Sequence, residues 1–488
     1  MAVVTNKMRF PKIVGREREL AKLDRVTNSD QSEFVAIYGR RRVGKSFLIT
    51  EYYQNKFAFS VVGTFLKDKD DQTYKATQLQ HFYNNLIESG LNPETPKPTS
   101  WQQAFTMLKS VLGRKRSKRK VVFIDELPWL AGPQSAELIS ELGTWWNEWA
   151  SRQHNIVLIV CGSATSWMLD NVINDYGGLY GRLTDRIKLL PFTLNECERF
   201  YKKHGLKLSR YEIAIAYMAL GGIPYYMNMV HKEMSVTQNI NDIFFDNPTI
   251  DEEFRAVYAG LYNSSERYVD IVKALGNNFY GLTQNEIIEI TKIESGGTLS
   301  NMIRNLRESG VIREYQRYGK PRVETVYQLI DFFSLFYLRF ISGQKHPGQW
   351  SQLQRTGQFY SWAGHTFELL CIEHSRQIQD ALRIKAIDQD YCYSGKTDDD
   401  IGAQIDLVFE CKAERSEYLL EMKFSESAFM VSKDYEEKLK NKIAAYLNGK
   451  RHKASHSILM VLISSFGLTE NEHSYMINNH LTLDALFS

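Results

Sequence analysis

Cysteine is scarce and scattered: five residues (Cys161, Cys197, Cys371, Cys392, Cys411) in 488, an odd number with no CxxC pair. That pattern disfavours both a disulfide framework and a zinc ribbon. Long apolar runs are missing too. The longest, such as 156–161 and 458–463, fall far short of the roughly 20 residues needed to span a bilayer. No basic start followed by an apolar run and a small-residue cleavage site is found at the amino-terminal end. Charge of one sign is also lacking, since 60 Lys and Arg against 57 Asp and Glu leave a formal net charge of +3. Overall charge therefore neither supports nor excludes nucleic acid, and only local patches bear on it. The 11 histidines offer no HExxH or similar metal spacing. What is present, 43% hydrophobic and 24% charged residues, is the composition of a folded globular protein. At roughly 150 residues per domain the length gives about three domains. These bounds predict a soluble, cytoplasmic, multidomain chain with no membrane partner.

The first third alternates short apolar runs with helix-length segments. Runs at 34–38, 58–63, 121–124, 156–161 and 187–190 are rich in Val, Ile and Phe, as buried parallel strands of an α/β sheet are. After Pro191 the pattern turns helical, punctuated by Gly221-Gly222-Ile223-Pro224. Segments 268–275, 283–290 and 298–309 then read as three helices. Gly296-Gly297 breaks the chain before the third, and Leu299, Met302, Ile303 and Leu306 recur at helical spacing. A hairpin of 312–318 and 323–329, turning at Gly319-Lys320-Pro321, completes a pattern similar to a winged helix-turn-helix. The polar stretch 344–354 is the best linker. Beyond it an α/β pattern restarts, with helices at 359–382 and 435–447 and strands at 405–410, 417–423 and 457–464. No internal repeat or low-complexity segment interrupts these modules, which we bound as an α/β core (1–192), a helical lid (193–262), a winged helix (263–345) and a terminal α/β domain (346–488).

Gly39-Arg40-Arg41-Arg42-Val43-Gly44-Lys45-Ser46 fits GxxxxGK[ST] at every fixed position, between an apolar strand and the apolar start of a helix. Glycine lets the backbone curl so that its N–H groups meet phosphate oxygens, and the helix amino terminus adds a favourable dipole. Gly39, Arg42, Val43 and Gly44 would line this cradle, Lys45 would reach the β- and γ-phosphates, and the Ser46 hydroxyl would bind Mg²⁺. The partner is Val121-Val122-Phe123-Ile124-Asp125-Glu126, an apolar strand ending in two acids. Asp125 would hold the ion's water shell and Glu126 would activate the attacking water. The plain alternative for Glu126 is an exposed strand end. ATP and Mg²⁺ are the expected cofactors.

The segment Ile13-Val14-Gly15-Arg16-Glu17-Arg18-Glu19-Leu20 resembles the GRExEL opening of prokaryotic P-loop ATPases related to the AAA+ and STAND classes, in which it packs near the adenine. That resemblance spans roughly residues 10–230. It places Ser163, after Gly162, at the sensor position near the γ-phosphate, where AAA+ proteins often have Asn. It places Arg182, after Gly181, at an arginine finger, with Arg186 as the competing choice and a structural role as the third. Gly222-Ile223-Pro224 matches the GxP element of STAND-type lids.

A second constellation lies near the carboxy-terminal end. Asp406 sits in Gln404-Ile405-Asp406-Leu407-Val408, and Glu421-Met422-Lys423 follows Tyr418-Leu419-Leu420. Residues two apart in a strand share a face, so Glu421 and Lys423 point the same way. A turn through the polar stretch 411–416 would bring Asp406 beside Glu421. Two carboxylates and a lysine can bind Mg²⁺ and stabilise charge on a phosphoryl group. The pattern resembles the PD-(D/E)xK nucleases, with Asp406 as first acid and Glu421-x-Lys423 as second element. The resemblance implies that Glu368, in Gly364-His365-Thr366-Phe367-Glu368, completes a metal site with Asp406 and Glu421, and that Lys423 orients or activates water. The plain alternative is a soluble strand edge.

Weaker signals are the basic run 114–120 and the polar residues Thr298, Ser300, Asn301, Arg304 and Arg307, with Arg317, Lys320 and Arg322 on the hairpin. Each is either a phosphate-backbone contact or a solvated or internally packed surface. Trp145, Trp146 and Trp149 read as core rather than a stacking platform, and His365 as incidental. The expected architecture is α/β: a P-loop ATPase parallel sheet with helical lid, a winged helix-turn-helix, and a C-terminal α/β restriction-endonuclease-like domain. The expected activity is ATP hydrolysis coupled to Mg²⁺-dependent cleavage of DNA. The alternative is a STAND-type switch whose last domain binds nucleic acid or protein without cutting. A site needing Arg182 from a neighbour would make the protein a homo-oligomer.

Overall fold

The computed structural model describes residues 12–66, 70–132, 135–174, 178–179, 181–259, 265–318, 324–343, 349–354, 356–449 and 455–488. The described residues divide into two compact units. One runs to Leu190 and takes in Ala259 and 304–310; the other comprises 191–258, 265–303 and 311–488.

The first unit is built on five strands, β1 (Glu33–Tyr38), β2 (Phe59–Val62), β3 (Lys120–Asp125), β4 (Ile156–Gly162) and β5 (Asp185–Lys188), in the order β2-β3-β4-β1-β5. Every pairing is parallel. β3 and β4 are buried along their whole length, as continuous Val/Ile runs covered on both faces must be. Phe82 packs its ring against Phe59, Trp101 and Phe105, and Trp145 and Trp146 are buried in the same cluster with Trp149 packed against it. Burial of each such side chain contributes roughly 1.5–3 kcal/mol. The last strand lies two residues earlier than its apolar run suggests. It ends at Lys188, Leu190 is 55% exposed, and Arg186 sits in the strand opposite Ala36.

Two helices carry this unit's site: α1 (Lys45–Tyr53) after β1, and the short α2 (Leu127–Ala131) after β3. The basic run before β3 is partly structural. The Arg119 guanidinium donates to the carbonyls of Val26, Gln31 and His154 at 2.7–3.1 Å, and Lys120 is buried on β3. Arg114, Arg116 and Lys118 are exposed.

In the second unit, helices α3 (Ser265–Gly276), α4 (Gln284–Thr291) and the first turns of α5 (Gly297–Glu308) precede the antiparallel pair β6 (Ile312–Tyr318) and β7 (Glu324–Leu329). Leu299, Met302, Ile303 and Leu306 are all buried, as their spacing requires. The turn expected at Gly319-Lys320-Pro321 lies outside the described residues, as do Lys320 and Arg322. The hairpin does not stand alone. β6 pairs in parallel with β8 (Gln389–Lys396), a strand with no strong apolar alternation. With β9 (Gly402–Cys411), β10 (Ser416–Lys423), β12 (Ser457–Ser464) and β14 (Asn479–Thr482) they form one seven-stranded sheet, ordered β14-β12-β10-β9-β8-β6-β7. The two-residue strands β11 (Phe429–Met430) and β13 (Leu468–Thr469) pair separately.

Two expectations are corrected here. Within the stretch read as a linker, 349–353 is a short helix whose Trp350 is fully buried against Phe336, Phe340, Phe359 and Trp362; one aromatic anchor outweighs its polar neighbours. The helix expected at 359–382 is two, α6 (Gly357–Glu373) and α7 (Ser375–Ala381). They break at His374, whose Nε2 accepts the Leu194 N–H at 3.0 Å while Nδ1 meets the Leu370 carbonyl at 2.8 Å. The helix α8 (Lys433–Leu447) covers the sheet after β10. No helix among the described residues is long and apolar enough to cross a membrane.

Candidate active sites

The β1–α1 loop shows why its glycines are required. Gly39 has φ of 144°, and a Cβ there would stand 2.2 Å from the Leu189 carbonyl oxygen. Gly44 caps α1 at φ of 91°, and Arg42 takes φ of 74°, a left-handed backbone that costs a side-chain-bearing residue roughly 1–2 kcal/mol. Arg16, just before the first helix and itself left-handed, donates to the Val43 carbonyl at 3.3 Å, so the GRExEL segment braces this loop. The buried Lys45 ammonium donates to the carbonyls of Gly39 and Arg40, each at 2.9 Å. Burial lowers its pKa, and the nearby Glu126 charge opposes that.

Asp125 ends β3 beside this loop. Its carboxylate accepts from the Ser46 hydroxyl and, at 3.0 Å, from the Glu126 N–H. Burial raises its pKa, Ser46 works against that, and the Glu126 charge adds to it. The Ser46–Asp125 pair fits a Mg²⁺ site of the kind completed by substrate phosphates. Glu126 takes a left-handed backbone (φ 46°) to start α2. Gly63 makes room for that turn, since a Cβ there would lie 2.4 Å from the Glu126 carbonyl oxygen and 2.3 Å from the Leu130 nitrogen. Glu126 Oε2 accepts from both the N–H and the hydroxyl of Ser163, at 3.0 and 2.9 Å. The residue expected to sense phosphate is thus a partner of the glutamate. Arg182 is exposed after the left-handed Gly181.

The second site sits where β9 and β10 meet. Their antiparallel register pairs Leu407 with Leu420, which sets Asp406 beside Glu421, and Asp406 Oδ2 accepts the Met422 N–H at 3.2 Å. Glu368 reaches the same place from α6. Glu368, Asp406, Glu421 and Lys423 all act electrostatically on one another. Two residues missed in the sequence join them. The Tyr435 hydroxyl and the Lys442 ammonium, both from α8, donate to the two oxygens of Glu421, and Lys423 pairs with Oε1 at 2.8 Å. Tyr435 and Lys442 are seven apart, hence on one helix face, with the buried Leu439 between them; that spacing was the available signal.

Burial would raise the pKa of Glu421, but Lys442 and Lys423 outweigh it and bring it down to about 2. Asp406 and Glu368 shift the other way, by burial first and then by the neighbouring carboxylate charge. Among the described residues neither forms an ion pair within salt-bridge distance, and no group of three or more His, Cys, Asp or Glu side chains is arranged to hold a metal ion. Glu368 and Asp406 fit a hard cation, which would relieve their mutual repulsion. Glu421, expected as a third ligand, has both oxygens committed to side chains.

Glu368 is pushed up from 4.5 to about 8, so the folded protein holds this proton more tightly than the unfolded chain. Its contribution to stability is therefore complete below about 4.5 and lost as pH rises through about 8. Glu368→Gln should flatten the fall in Tm across that window, measured without divalent metal. An unchanged slope would remove Glu368 as its source.

Of the other expected nucleic-acid contacts, Thr298, Ser300, Asn301 and Arg307 are exposed, whereas Arg304 pairs with Asp170 at 2.6 Å. Arg317 donates to the Tyr280 carbonyl at 2.6 Å and pairs with Glu324. His365 is buried, stacked on Phe279 with ring centres 4.3 Å apart, and burial lowers its pKa to about 4.

A phosphate-binding loop after β1, a Ser46 hydroxyl bonded to the buried Asp125 and an adjacent glutamate on a five-stranded parallel sheet define a P-loop ATPase domain. Residues 13–230 match the sequence model of an ATPase domain predominantly from Archaea. An uncharacterized protein of Methanocaldococcus jannaschii is 29% identical over 221 residues, which is 44% of this chain and 44% of that protein; the chain thus spans less than half of that relative's length. A Walker-type ATPase of Pyrococcus abyssi aligns over 68% of this chain and 97% of its own, at 21% identity and a TM-score of 0.49. The ORC2 protein of Aeropyrum pernix, solved with ADPNP and ADP, aligns over 67% of this chain and 93% of its own, at 14% identity and a TM-score of 0.42.

Proposed function

We propose that this ATPase acts on DNA, and that ATP turnover in the first unit controls phosphodiester cleavage by the carboxylate–lysine cluster of the second. The observation that carries the reading is the convergence of Glu368, Asp406, Glu421 and Lys423, from one helix and two strands, on one place. In the first unit Lys45 binds the β- and γ-phosphates, and Glu126, oriented by Ser163, takes a hydrogen bond from the attacking water. In the second, Lys423 sets a positive charge against the scissile phosphate and orients the water, while Lys442 and Tyr435 keep Glu421 ionised and in place. Ser46 with Asp125, and Glu368 with Asp406, would hold Mg²⁺, whose charge neutralises phosphoryl oxygens.

One observation favours a second reading, a switch that binds nucleic acid or protein without cutting: Glu421 is neutralised by two lysines. The test is incubation of plasmid and linear single- and double-stranded DNA with Mg²⁺ or Mn²⁺, with and without ATP, using wild type beside Asp406→Asn. Cleavage that needs metal, responds to ATP and drops at least about 100-fold in the variant is expected. Equal cleavage by both proteins would refute the assignment of the site. Binding to DNA with no cleavage under either metal, with or without ATP, would establish the second reading.

A further inference from the structure

Tyr280 is not part of any motif, yet its surroundings are unusual. It lies between α3 and α4, and 56% of it is exposed. Its backbone, by contrast, is fixed on every side. Its carbonyl accepts from the Tyr315 hydroxyl and from Arg317, each at 2.6 Å. The preceding Phe279 carbonyl accepts from Gln328 at 2.6 Å. The following Gly281 has φ of 72°, and a Cβ there would stand 2.5 Å from the Tyr327 carbonyl oxygen. Leu282 and Tyr327 then exchange both backbone hydrogen bonds at 2.8 Å.

This clamp sets the loop against the helix that carries Glu368. Phe279 stacks on His365, which is one helical turn before Glu368 on α6. The Tyr280 phenol lies within the electrostatic reach of Glu368, Asp406, Lys423 and Lys442 together, and its pKa is raised by burial and then by the two acids. A scattered surface tyrosine needs no explanation. An aromatic ring held out by an immobilised turn, beside two lysines and the carboxylates of a phosphodiester site, does.

We propose that Tyr280 is a positioning residue that stacks an unpaired nucleobase at the mouth of the carboxylate–lysine site, giving it a preference for single-stranded or splayed DNA. The inference rests on the DNA reading above and adds the substrate class. Stacking on an aromatic ring tolerates any base, since each has a π-face, while neighbouring cations hold the backbone.

The test is binding, in EDTA, of a short single-stranded oligonucleotide carrying aminopurine, and of its duplex, by the full chain. Tyr280→Ala should weaken single-strand binding about tenfold and abolish the quenching of aminopurine fluorescence, with duplex binding and Tm unchanged. Tyr280→Phe, which keeps the ring, should restore both signals. Wild-type affinity or quenching in Tyr280→Ala would overturn the stacking role while leaving the DNA reading intact. Failure of the wild type to bind either DNA would overturn that reading and the proposal with it.

Discussion

Lys45→Ala is expected to lower ATP affinity by at least about 100-fold and to bring ATP turnover below detection, because a charge-assisted contact to phosphate in a dry site has no substitute in water. The side chain is only 5% exposed, and its ammonium already sits between two loop carbonyls at 2.9 Å. Alanine leaves the glycine-shaped backbone cradle in place and removes the buried ammonium held by its carbonyls. Titration of a fluorescent ATP analogue against wild type and variant, with Tm recorded for both, separates lost binding from lost folding. Retained affinity in a folded variant would mean that the β1–α1 loop does not bind nucleotide in the way its sequence pattern requires.

The second large effect concerns the other unit. Glu421→Ala removes the common partner of Lys423, Lys442 and Tyr435 and leaves two lysines in a buried site without their counter-charge. Breaking such a buried arrangement costs about 3–5 kcal/mol, which should lower the melting temperature of this unit by roughly 10 °C. Pairing Glu421→Ala with Lys442→Met should recover part of that loss, since one stranded charge goes with its partner. The native contribution belongs above the ordinary carboxylate pKa of 4.5 and disappears as pH falls through about 2. A Glu421→Ala melting temperature equal to wild type at neutral pH would show that the lysines find other partners. The site would then be a solvated surface rather than a buried cluster.

What could be read in advance follows from how local each signal is. The phosphate loop, the acid pair Asp125-Glu126 and the buried strands carry their information within a few neighbouring residues, so β3 and β4 were legible to within one residue at either end. Asp406, Glu421 and Lys423 were legible because a short turn fixes the register of β9 against β10. Tyr435 and Lys442 were not, since they reach Glu421 from a helix whose docking depends on the whole sheet. Trp350 was lost among polar neighbours, and the break at His374 depends on a hydrogen bond to Leu194, 180 residues away. Ser163 was found by its place after β4, but its bond to Glu126 depends on the left-handed turn that Gly63 permits.

The pairing of β6 with β8 bears on how this protein can be dissected. Arg317 and Tyr318 lie opposite Cys392 and Tyr393, so the hairpin covers an edge that would otherwise present unpaired N–H and C=O groups. A fragment beginning after the hairpin, at the polar stretch that invites a cut, would strip that edge and offer it to any strand in solution. Such a fragment should self-associate or precipitate, whereas one that begins before α3 keeps its own cover.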